Sequence, residues 1–137
     1  MKVKCIKNSF ADDREVALYR SDLEARLHIT IDKTYVVYGM KHEHRILYYL
    51  IQEDTYRPRF YPANLFDVVD TQLPYEEWHL GKYQYSSAID GTIQTFYVFG
   101  SKEMATDHDL LMSIILQDNE GLFHFEEWRK LIDRQYE

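Results

Sequence analysis

The stretch Ile29–Asp70, ITIDKTYVVYGMKHEHRILYYLIQEDTYRPRFYPANLFDVVD, carries the clearest secondary-structure signal in the chain. β-branched and aromatic residues crowd its first twelve positions, with Asp32 and Lys33 offering an early turn, so residues 29–40 read as a strand. The polar KHEH interrupts the pattern, and RILYYLIQED resumes it as a strand over residues 45–53. The two runs read as an antiparallel pair. A turn at Asp54–Arg57 precedes a short strand at 58–62, and YPANL then reads as a tight corner before a last short strand at 65–69. Pro62 has no N–H to give to a ladder, and Asn64 tolerates turn geometry. So many short strands in so few residues predict a small, highly curved antiparallel barrel. The rings before the corner, Phe60 and Tyr61, would fill or cap it.

Outward from this stretch the signal changes. Residues 2–7 alternate as a first strand, with Val3 and Cys5 on one side. Between them and Ile29, Val16, Tyr19, Leu23 and Leu27 fall near helical spacing, so residues 10–28 read as a short amphipathic helix or an ordered loop. After Asp70, residues 71–100 read as a connecting segment that leads to one more strand, GTIQTFYVFG. The period then becomes helical. Met104, His108, Leu111, Met112, Ile115 and Leu116 would share one face of a helix, with Ser101 and Met104 making half a capping box. DNEG reads as a turn. Phe125, Trp128, Leu131 and Ile132 form the stripe of a second helix, in which Trp128 and Leu131 are expected to be buried. The expected class is therefore mostly β with added α: one domain over residues 1–137, a barrel core at 1–70 and two helices in residues 101–137.

Composition bounds the function. The chain has 137 residues, 45% of them hydrophobic and 28% charged, which is globular and long enough for one core without metal or disulfide staples. Twelve Tyr accompany seven Phe and two Trp. A Tyr buries its ring and keeps its hydroxyl wet, which suits shallow cores and binding faces alike. A single cysteine, Cys5, excludes an internal disulfide and fits a reducing cytoplasm. No stretch reads as a signal peptide or a membrane span. The formal charge of −7 is uneven: residues 1–101 carry −2, and residues 102–137 carry −5. Such an acidic segment repels a phosphate backbone and attracts a basic protein.

Signals for chemistry are weak. His42 and His44 would lie on the same side of a strand, but in a polar connection with no evident third metal ligand. The adjacent pairs Glu76–Glu77 and Glu126–Glu127 diverge from each other, and TDHD at residues 106–109 has no nucleophile beside it. The five glycines are isolated, so there is no phosphate loop. No metal, nucleotide or covalent cofactor is expected, and no enzymatic activity. The rings around Arg57 and Arg59 suit stacking on single-stranded nucleic acid or an extended peptide, and the presence of rings alone does not separate these options.

The segments MKVKCIKNS, LHITIDKTYVVYGM and YYLIQEDTYRPRFYPANLFDVVD resemble a group of small bacterial proteins with an SH3-like barrel. In that group a KVKC strand precedes an LTxGKxYxV strand and a WYPxxLFEVV-type ending. The resemblance covers residues 1–80 and extends weakly into the C-terminal strand and helices. Asp32 stands where the group usually has glycine, Phe60 where tryptophan is common, and residues 10–26 look like an insertion. Proteins of this type are often small acidic products of prophage and toxin-linked loci. The resemblance thus implies a cytoplasmic binding protein, and in particular an immunity protein that neutralises a basic toxin domain such as a nuclease. Its candidate contacts are Tyr48, Tyr56 and Tyr61 as aromatic anchors, with Asp107, Asp109, Asp118, Glu120, Glu126 and Glu127 as the acidic surface.

Overall fold

The computed structural model describes residues 1–9, 27–73 and 77–136. Among these residues eight strands are followed by three helices. The strands are β1 (Lys2–Cys5), β2 (Thr34–Val36), β3 (Gly39–Glu43), β4 (Ile46–Gln52), β5 (Pro58–Pro62), β6 (Phe66–Asp70), β7 (His79–Ser86) and β8 (Ile93–Gly100). The helices are α1 (Lys102–Thr106), α2 (His108–Leu116) and α3 (Asn119–Asp133). The helix or loop expected over residues 10–28 falls almost wholly outside the described residues.

All strand pairing among the described residues is antiparallel, in two sheets: β2-β1-β6 and β5-β4-β3-β8-β7. The described strands therefore do not close into the single barrel expected from the sequence. The physical reason lies at Val37 and Tyr38, where the chain leaves one sheet and enters the other. Both side chains are buried, and their backbone N–H groups bond the Met1 and Leu50 carbonyls. The run expected as one strand over 29–40 is thus two strands in different sheets.

The β3–β4 pair expected from the sequence is present, joined by a two-residue turn. His44 and Arg45 both have positive φ, at 51° and 65°, the pattern of a turn whose twist matches its flanking strands. The YPANL corner is a single 3-10 turn over Ala63–Leu65. The segment expected as a connection contains β7, an eight-residue strand paired with β8 along its whole length. β7 forms the outer edge of the five-stranded sheet among the described residues.

One face of the large sheet meets the small sheet at the β4–β5 end, through Tyr49 and Phe66 rings in edge contact at 6.0 Å. Val3, Cys5, Ile51, Tyr61 and Leu65 are fully buried in this layer. The other face carries the helices. Gly81 lies directly under α1, where an added Cβ would stand 1.9 Å from the Ala105 carbonyl oxygen. Gly121 plays the same part between α2 and α3, against Ser113. Trp128 is buried and its indole donates to the Tyr38 carbonyl at 2.7 Å, which ties α3 to the sheet.

Three helices replace the expected two. Asp107 breaks the first, because its carboxylate accepts from the Asp109 and Leu110 backbone N–H groups as an N-cap. The break resets the helical phase, so Leu110, Leu111 and Ile114 are buried while Ile115, Leu116 and His108 are exposed. Leu131, expected to be buried beside Trp128, is also exposed. No helix among the described residues is long and apolar enough to cross a membrane.

Candidate functional site

The acidic C-terminal part does not form one uniform surface. α1 and α2 meet at the Asp107 cap, and α3 returns across them after a second cap, Asp118, whose carboxylate accepts from the Gly121 N–H at 3.0 Å. These two turns bring together residues from all three helices. Glu103, Asp107, Glu120 and Glu127 surround an open concavity of about 470 Å³, with Leu110 in its lining and no Lys or Arg among the lining residues. Phe123 lies on the same concavity and is 70% exposed.

His124 forms part of the wall. Its Nε2 lies 2.9 Å from the Ser101 hydroxyl, which accepts in turn from the Met104 N–H at the start of α1. The direction of the bond between hydroxyl and imidazole follows the tautomer of the ring. Burial lowers the His124 pKa, and the nearby Glu103 carboxylate opposes the shift. The site is therefore a ring of carboxylates around a neutral histidine and an exposed phenylalanine. It can attract and hold a cationic group.

The structure divides the expected contact residues into three sets. Asp107, Glu120 and Glu127 converge on the concavity. Asp109 and Asp118 are exposed beside it, and Asp118 serves α3 as its cap. Glu126 is turned away into an ion pair with Arg129 at 2.7 Å, which also binds Asp133 at 2.9 Å.

The three tyrosines do not share one face. Tyr61 is fully buried. Its hydroxyl donates to the buried Glu53 carboxylate at 2.8 Å and accepts from the His28 N–H. This corrects its assignment as a contact ring: the corner closes over it. Tyr56 stands 80% exposed at a turn with φ 66°, far along the chain from the acidic helices. Tyr48 is half-buried and lines a second cavity, between the five-stranded sheet and α2.

Glu103, Phe123 and His124 were not among the expected contact residues. Phe123 sits outside the Phe125–Trp128–Ile132 stripe, and that off-stripe position was the available signal. His42 and His44 lie on a strand and in its turn. No group of three or more His, Cys, Asp or Glu with metal-binding geometry occurs among the described residues. Comparison with protein-family models, curated proteins and solved structures finds no match to this chain.

Proposed function

We propose that this chain is a non-enzymatic immunity protein that binds and neutralises a basic toxin domain through the acidic concavity of its three helices. The observation that carries this reading is the convergence of Glu103, Asp107, Glu120 and Glu127 around the exposed Phe123. A specific interface needs an apolar anchor inside a polar rim, and a carboxylate ring steers a cationic partner onto it. Nuclease domains are cationic where they hold their phosphate substrate, so an acidic surface is complementary to them in charge.

The resemblance of residues 1–80 to small bacterial SH3-like barrel proteins supports the same reading. We read β1 to β6 as an opened SH3-like arrangement. The order β2-β1-β6, the run β3-β4-β5, the change of sheet at Val37–Tyr38 and the 3-10 turn before β6 favour it. β8 and β7 then extend the second sheet and give the helices a floor.

Co-expression with the product of the neighbouring gene tests the function. Protection of the cell and a stoichiometric complex on size exclusion are the expected results, with binding slowed by Glu120→Lys and Glu127→Lys and less sensitive to salt. Continued killing without a complex sinks the proposal.

A further inference from the structure

β7 ends the five-stranded sheet, and among the described residues only one of its sides is paired. Just past the strand, the Ser87 N–H reaches the Thr92 carbonyl at 2.8 Å, which fixes the phase of the β7–β8 ladder. His79, Gly81, Tyr83 and Tyr85 therefore turn their backbone groups towards β8, and Leu80, Lys82, Gln84 and Ser86 turn theirs outward. Natural sheet edges are usually blunted by proline, a bulge or several charges. HLGKYQYS has no proline, pairs with β8 in unbroken register, and carries Lys82 as its only Lys, Arg, Asp or Glu.

This edge adjoins negative charge. α1 sits directly on β7: the Tyr83 hydroxyl donates to the Met104 carbonyl at 2.7 Å, and Gly81 passes beneath Ala105. α1 carries Glu103 and leads into Asp107, and both line the acidic concavity. Burial raises the Tyr83 pKa, and the Asp107 carboxylate is close enough to raise it further. The opposite side of the strand is different. There Leu80 stands exposed beside Phe99, its cross-strand neighbour in β8. A strand added to β7 would send alternate side chains to each side. One set would come up beside the carboxylates of α1 and its cap, and the other beside Leu80. A second copy is the poorer occupant at neutral pH, because each chain brings a formal charge of −7.

We propose that β7 receives an extended basic segment of the partner as an added strand, its cationic side chains towards Glu103 and Asp107 and its apolar ones towards Leu80. The proposal rests on the reading of this chain as the binder of a basic partner, and it extends that contact from the concavity onto the sheet edge.

The probe is a fluorescent, end-blocked peptide of four Lys-Val repeats, titrated into the intact protein. Saturable binding is expected, with amide hydrogen exchange at Lys82 and Gln84 slowed about tenfold or more. A Glu-Val repeat should not bind. Two further peptides, N-methylated at every valine or at every lysine, keep all charges and lose one set of backbone donors. The set that faces β7 should weaken binding about tenfold or more, and the other should spare it. Gln84→Pro removes an outward N–H without touching the β7–β8 ladder, and should weaken the parent peptide about tenfold. Should that variant fail to fold, the methylated peptides decide on the unsubstituted protein. Absence of saturable binding, equal affinity of all three lysine peptides, or unchanged exchange at the edge overturns the proposal. So does a dimer at neutral pH whose edge amides are already slow without peptide, which assigns the edge to a second copy. If Gln84→Pro binds the neighbouring gene's product with unchanged affinity, strand addition falls and the neutralising function stands. If that product forms no complex while the peptide protects the edge, the function falls and the strand site stands.

Discussion

Single residues set the two layers of this molecule, and Tyr61 shows how. Its ring fills the space between the sheets, while its hydroxyl bridges the Glu53 carboxylate and the His28 N–H. Burial and the facing carboxylate both push its own ionisation far above the usual tyrosine range. Tyr61→Phe removes one atom and leaves Glu53 buried with Arg59 as its remaining partner at 3.2 Å. It should destabilise the fold by about 1–3 kcal/mol in urea unfolding, the cost of an unmet buried polar group. Trp128→Ala should cost roughly 3–5 kcal/mol, through the cavity and the lost bond to Tyr38. His124 makes a pH-dependent contribution. Its folded pKa lies below the ordinary 6.5 because burial disfavours the imidazolium. The neutral form's stabilisation is therefore complete above 6.5 and is lost as the pH falls through the folded value. Urea midpoints at about pH 7.5 and about pH 5.5 should differ, and His124→Gln should narrow that difference.

At the scale of elements, the caps do two jobs that substitution can separate. Asp107→Ala should cost about 1 kcal/mol by uncapping α2, whereas Asp107→Ser keeps an accepting oxygen and removes only the charge. Slower association of the Ser variant with the proposed partner, at unchanged stability, would assign the carboxylate to the interface; an unchanged rate would leave it a cap alone. Gly81→Ala should destabilise by about 1–3 kcal/mol or more, because its Cβ meets backbone rather than a movable side chain. The elements also show what local pattern reveals. β4, β5, β6 and β8 stand within two residues of their expected bounds, since β-branched and aromatic runs mark them. β7 was hidden because HLGKYQYS mixes exposed polar residues with a glycine, as an edge strand does and as a loop does too. The switch of sheets at Val37–Tyr38 leaves no mark because residues 35–38, YVVY, stay apolar or aromatic across it. The break at Asp107 was hidden for a different reason: capping competes with helix continuation, and periodicity alone does not weigh the two.

For the whole molecule, the sequence revealed that the C-terminal part is acidic but not which carboxylates meet. Glu103 and Glu127 are 24 positions apart and join one concavity only because two caps fold three helices together. The second cavity was less legible still, because Tyr48, Phe96 and Met112 belong to elements whose packing only the fold establishes. The molecule thus keeps an acidic concavity on its helices and a separate ring-lined cavity at the seam of sheet and α2.

The outer strand of the large sheet has a consequence for the behaviour of the protein at high concentration. β7 presents an unpaired ladder among the described residues, and Leu80 within it is 68% exposed. An open edge of this kind can pair with the edge of another molecule. At neutral pH the net charge holds the molecules apart, and that repulsion fades towards the isoelectric point near 5.3. Light scattering should therefore rise steeply as the pH approaches that value and fall again in stronger acid. Leu80→Lys, by placing a charge on the edge, should suppress the rise. The acidity proposed to draw in a basic partner would then also keep the chain from assembling onto itself, strand by strand, in a crowded solution.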